Sequence, residues 1–83
     1  MLVRLFPSAR KHRISRTRVL AAMEAAGEPR RIPATDGQAD DRWLWIGFDD
    51  RGVELEVIAI QQGDVWIVIH AMPTAWRNRG GKS

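Results

Sequence analysis

The residues in this chain best equipped for chemistry are two histidines and a set of cations. His12 stands in "SARKHRIS" (residues 8–15), between Lys11 and Arg13 and two positions after Arg10. His70 stands in "VWIVIHAM" (65–72), and Arg77 lies shortly beyond it. Imidazole exchanges protons near neutral pH, so two rings can supply a base and an acid. Guanidinium and ammonium groups supply the positive field that stabilises a phosphorane. These are the parts of metal-independent RNA cleavage: a base for the 2′-hydroxyl proton, an acid for the leaving oxygen, and cations for the phosphate. Lys11, His12, His70 and Arg77 are therefore the candidate catalytic residues. Arg10, Arg13, Arg30 and Arg31 are candidate nucleic-acid contacts. Trp66 and Trp76 offer faces on which bases could stack. Plainer readings stand beside these: His12 among solvated charges, His70 as a satisfied core residue, Trp66 as core packing and Arg77 as a tail charge.

Other chemistries find less support. The chain has no GxxxxGK[ST] phosphate loop and no GxGxxG, HExxH or GxSxG motif. With no cysteine and only two histidines, a zinc site is not expected, and no cofactor is expected either. The absence of cysteine also fits a reducing compartment. No segment has the apolar core of a signal peptide or the length of a membrane span. The expectation is a cytoplasmic protein with no membrane contact.

Charge divides the chain. Residues 4–31 carry a net +6, residues 32–72 a net −6, and the last residues, with Arg77, Arg79 and Lys82, a net +3. Eleven of the thirteen basic residues are arginine, which suits bidentate phosphate recognition but also follows from GC-rich coding. A direct nucleic-acid surface on the basic N-terminal third is one consequence of this division, and it predicts affinity that falls steeply with salt.

The elements that must position these groups can be read along the chain. "LVRLF" (2–6) reads as a short strand, and Pro7 can open a short helix over 8–12. "ISRTRVLAAMEAAG" (14–27) is the clearest helix. Ser15 is its N-cap, Ile14 and Val19 form a hydrophobic staple, and Val19, Leu20, Ala22, Met23 and Ala26 make an apolar stripe. Gly27 stops it. Arg16 and Arg18 sit in its first turn against the helix dipole, which suggests another demand for positive charge there. Arg30–Ile32 can form a short edge strand. "RWLWIGF" (42–48), "VELEVIAI" (53–60) and "VWIVIHAM" (65–72) are strands joined by short turns, an antiparallel meander. The fold class is α+β: a short N-terminal strand, one short and one longer helix, then a three-to-four-strand antiparallel meander. The chain is expected to be one compact domain over 1–76 with a flexible basic tail over 77–83.

Register assigns the faces. A four-residue "DDRG" loop pairs Phe48 with Val53 and Ile46 with Leu55. A turn at Gln62–Gly63 pairs Ala59 with Trp66 and Leu55 with His70. Leu44, Ile46, Phe48, Leu55, Val57, Val68, His70 and Met72 then face the core. Trp43, Trp45, Ile58 and Ile67 fall on the opposite face, as a candidate partner-binding strip for a protein or a second copy of the chain. A three-residue loop with a bulge at Gly52 would slip the first strand by one residue and swap its faces. That parse is disfavoured because it sets Ile46 and Phe48 against Glu54 and Glu56.

Two motifs carry a resemblance to a known family. "ARKHRIS" (9–15) resembles the "KHG-[VI]-S" segment of BrnT-like toxins of the RelE superfamily, which also precedes a helix. "WIGFDDRGVELEVIAI…VWIVIHAMPTAWR" resembles their "-IG-…-G-…-L-V-V-…-I-I-S-A-R" meander, and is closer to a group of short actinobacterial proteins ending in "VIHAMP" and a basic residue. The resemblance spans about residues 8–77. It implies the RelE/BrnT-like fold and the toxin of a type II toxin–antitoxin pair, an endoribonuclease acting on mRNA and neutralised by a cognate antitoxin. Lys11 and His12 match the "KH" pair. The "SAR" arginine is Met72 here, with Arg77 as its replacement from further along, and the glycine after "KH" is Arg13. The alternative reading is a non-catalytic interaction module that dimerises or binds an antitoxin-like partner through its sheet face.

Overall fold

A computed structural model describes residues 2–37 and 40–77. The chain is α+β. Strand β1 (Leu2–Leu5) leads into a turn of 3-10 helix (Pro7–Arg10) and helix α1 (Arg16–Ala26), followed by β2 (Arg30–Ile32), β3 (Arg42–Phe48), β4 (Glu54–Gln62) and β5 (Val65–Pro73). A short helical turn over 75–77 comes after β5.

The sheet is not the simple meander expected. It has five strands in the order β1-β5-β4-β3-β2, and β1 runs parallel to β5 while every other pair is antiparallel. The helical segments also differ: residues 8–12 give a 3-10 turn over Pro7–Arg10 in place of a helix. The described residues end at Arg77, so all but the first residue of the expected 77–83 tail lies outside them.

Ser15 caps α1 as its type predicts, its hydroxyl accepting from the Arg18 amide. Gly27 ends the helix with φ 78, a backbone state that glycine adopts without steric cost. Val19, Ala22 and Met23 are buried, and they meet Trp45, Leu55, Val57 and Val68 of the sheet in one core. The demand for positive charge in the first turn is explained by its partners. Arg18 Nε donates to Asp49 Oδ2 at 2.6 Å, and Arg16 Nη1 donates to the Val3 carbonyl at 2.5 Å.

The register of β3 is the disfavoured one. Trp45 pairs with Val57, Gly47 with Leu55, Ile46 with Glu56 and Phe48 with Glu54. Gly52, with φ 76, is the left-handed residue of the loop, and its amide donates to the Asp49 carbonyl. The cause lies at Gly47. A Cβ there would sit 2.4 Å from the Ala22 carbonyl oxygen and 2.8 Å from the Ala26 amide. Only glycine lets α1 lie this close, so the Gly47 side of β3 must face the helix. Trp43 and Trp45 therefore pack on the helix side, edge-on to Trp66 at ring-centroid distances of 5.9 and 4.9 Å, and leave the partner strip. Leu44, Ile46 and Phe48 take the open face with Ile58, and Ile67 points to the same side but is buried.

The second hairpin turns at Gly63–Asp64, so that Gln61 faces Trp66 and Ala59 faces Val68. A bulge then slips the ladder, and Ile58 faces His70. This reverses the faces of the strand end. Ala71 drops into the core, whereas His70 and Met72, expected beside Val68 on the core face, turn to the open face with Ile58 and Glu56.

Candidate functional site

His12 and His70, 58 positions apart in sequence, meet at the free end of β5. The parallel pairing of β1 along β5 continues past β1: the Phe6 amide donates to the Val68 carbonyl, and Ser8 Oγ donates to the Ile69 carbonyl at 2.8 Å. This ties the 3-10 turn to the edge of β5 and brings the following turn, Lys11–His12, to the strand's last residues. The two imidazole rings stand edge to face with centroids 6.1 Å apart. Trp76, on the turn after β5, also meets His12 edge to face, with ring centroids 5.3 Å apart.

A buried carboxylate organises the rest. Glu56 on β4 is 5% exposed. Its Oε2 lies 2.8 Å from His70 Nε2, and its Oε1 accepts from Arg77 Nη2. A buried carboxylate is costly unless its lone pairs are used, and these two contacts use them. One strand-pair away the Thr74 amide donates to the Glu54 carbonyl, and Thr74 Oγ1 donates to the Glu54 carboxylate. Glu54 and Glu56 thus hold the 74–77 turn, with Trp76 and Arg77, over the histidine pair.

Both histidines sit beside a backbone irregularity. Arg13, next to His12, has φ 59 and is the single described non-glycine residue with a positive φ. The bulge beside His70 is the single break of register in the described sheet. The turn at Arg13 also opens a cavity of about 360 Å³ lined by Leu5, Arg13, Ile14, Ser15 and Arg16.

The structure thus brings His12, His70 and Arg77 together. Lys11 is exposed on the same turn, and Arg13 is exposed next to His12. Arg10 ends the 3-10 turn. Arg30 and Arg31 do not join them: β2 is the far edge, three strands from β5, about 14 Å away across the sheet. Arg31 Nε instead donates to Asp41 Oδ2 at 2.6 Å. Hydrogen bonds from the Ala34 amide and Arg31 hold the Asp41 carboxyl below its ordinary range. Of the expected partner strip, only Ile58 is part-exposed on the open face; Ile67 points to that side but is buried, 6% exposed, and the tryptophans lie on the helix side.

Glu56 went unread as a site residue because its alternation in "VELEV" marks it as a solvent-facing charge. The usable signal is the conflict named above, Ile46 and Phe48 set against Glu54 and Glu56, which the structure realises as Ile46 beside Glu56 and Phe48 beside Glu54. Among the described residues no group of three or more potential ligands is placed to hold a metal ion. No described helix is long and apolar enough to cross a membrane. Comparison with protein-family models, with curated proteins and with solved structures finds no match for this chain.

Proposed function

We propose that the chain is a metal-independent endoribonuclease, with His12 and His70 as its proton-transfer pair. The observation that carries this reading is the edge-to-face meeting of the two imidazoles beside Arg77 and Trp76. With Nε2–H donating to Glu56, neutral His70 presents Nδ1 as a base, and the carboxylate stabilises the imidazolium that forms when the ring takes the 2′-hydroxyl proton. The 2′-oxygen attacks phosphorus and the 5′-oxygen leaves, taking a proton from the His12 imidazolium. The product is a 2′,3′-cyclic phosphate and a free 5′-hydroxyl. Lys11 and the outward N–H groups of Arg77 hold the phosphate, and Trp76, 40% exposed, offers a face to a flanking base. The motifs that resemble BrnT-like toxins support mRNA as the substrate and an antitoxin as the controlling partner.

The test is cleavage of RNA by the pure protein in EDTA. His12→Ala and His70→Ala should each lower the rate by about a hundredfold or more. Full activity in both variants would remove these assignments.

The open sheet face supports a protein partner as well. Ile46 and Phe48 are 42% and 57% exposed on a face that also carries Leu44, Ile58 and Ile60. Such a strip fits an antitoxin or a second copy of the chain. A monomer in light scattering that binds no product of an adjoining reading frame argues against this part.

A further inference from the structure

The charges on α1 oppose the helix dipole at both ends, and only one end is answered within the fold. At the N-terminus Arg16 and Arg18 have their partners in the Val3 carbonyl and Asp49. At the C-terminus Glu24 and Glu28 flank Gly27, and no basic residue sits in the last turn. Among the described residues neither carboxylate forms an ion pair. Two carboxylates and the negative end of the dipole thus add at this end; Arg30, which shares a neighbouring pocket with Glu28, forms no ion pair with either. They border a groove of about 460 Å³ whose walls are Leu20, Met23, Trp45 and Trp66. Trp66 is half-buried there, steadied edge-on by Trp45.

We propose that this groove binds an arginine side chain of a basic polypeptide. Indole faces attract cations, and a guanidinium stacks on them better than an ammonium does because it is planar and weakly hydrated. Its N–H fork reaches carboxylates at the rim while its methylene stem lies on Leu20, which is half-buried. The groove is larger than one guanidinium fills, so part of the peptide carrying it lies there too. The site is on the helix side of the sheet, near the Gly63–Asp64 turn, and so at the opposite end of β5 from His70. It does not depend on the ribonuclease reading.

The test is titration of the full chain, followed by indole fluorescence, with acetyl-Gly-Arg-Gly-amide, with the same peptide carrying neutral citrulline, and with free arginine amide. The arginine peptide should give a saturable change. Citrulline should weaken binding about tenfold or more, and free arginine amide should bind more weakly than the peptide. An E24Q/E28Q double variant, altered at exposed positions, should lose binding to a similar degree with its circular dichroism unchanged. Equal binding of the citrulline peptide, equal binding of free arginine amide, an unaffected double variant, or no saturation at millimolar peptide would each overturn the proposal.

Discussion

Asp49→Asn isolates one interaction with almost no change of shape. Asp49 closes the β3–β4 hairpin and is 7% exposed. Its Oδ1 accepts from the Arg51 and Val53 amides at 2.8 and 2.9 Å, and its Oδ2 accepts from Arg18 Nε at 2.6 Å. Asparagine keeps the amide contacts through its own carbonyl oxygen but turns an NH₂ toward Arg18. The guanidinium, only 15% exposed, loses its counter-charge. Breaking a buried pair costs about 3–5 kcal/mol, and the remaining access of Arg18 to water lowers this case to or below that range's bottom, about 2–3 kcal/mol. A chain of this size has a total stability on the order of 5–10 kcal/mol, so urea unfolding at pH 7 will read the loss directly. The pH dependence gives a second check. Burial pushes the Asp49 carboxyl up, but the Val53 amide, Arg18 and the Arg51 amide outweigh it and hold it below the usual carboxylate range. A carboxyl that is more acidic in the folded state contributes stability that is full above the unfolded value, about 3.9, and is lost as pH falls through the folded value. The gap between the wild-type protein and the variant should therefore shrink as pH drops below about 4. An Arg18→Met, Asp49→Asn cycle should show coupling of at least about 1 kcal/mol. A variant as stable as wild type at pH 7, or a gap that is the same at pH 7 and pH 3, would refute the reasoning.

Three further outcomes follow from the packing and the site. Gly47→Ala forces a Cβ onto the Ala22 carbonyl and should cost about 2–3 kcal/mol in thermal or urea unfolding; a neutral result would mean that α1 does not lie on β3 as described. Arg13→Gly should raise stability by about 1 kcal/mol, because glycine takes the left-handed state without the cost that a side chain incurs. A melting point lowered by this change would contradict the φ of 59° at that residue. Glu56→Gln keeps the volume but removes the charge shared by His70 and Arg77. RNA cleavage should then fall about tenfold or more, and an unchanged rate would separate Glu56 from the histidine pair.

Local signals in the chain were enough for α1, its Ser15 cap and the three long strands, because periodicity, capping and turn residues act within a few positions. Two non-local decisions escaped them. The register of β3 was set by how closely a helix from residues 16–26 approaches Gly47. The sequence holds that signal, a glycine inside an apolar strand, but it competed with the apparent conflict between Ile46 and Glu56. The conflict dissolves once Glu56 has His70 and Arg77 as partners. The pairing of β1 with β5 depends on closing a loop of some sixty residues, which no short-range pattern reports. The candidate site was legible in its residue types and not in its assembly: His12, His70 and Arg77 could be named, whereas the carboxylate that joins two of them could not.

The two irregularities next to the histidines bear on why the segment 8–15 is built as it is. A left-handed arginine costs about 1–2 kcal/mol, and a bulge gives up ladder hydrogen bonds. The bulge also sets Ala71 into the core, a place that a small side chain fills, whereas no core contact asks for the left-handed turn at Arg13. Ile14 and Ser15 could enter α1 from a relaxed turn, and an unbroken β5 would keep its pairing with β4. Without the bulge, however, His70 would lie on the helix side of the sheet with Val68, out of reach of Glu56. The turn at Arg13 is where the chain leaves the edge of β5, just after His12 has been set against His70 and Trp76. Each distortion is thus accounted for by the position of one imidazole, and both lead to the same place. Strain kept at two separate points for one shared arrangement is better explained by a use for that arrangement than by packing alone. On this argument the relaxed variant Arg13→Gly should gain stability and, if the turn loosens, lose cleavage activity. A variant that gains both would show that the strain serves no purpose at the histidine pair.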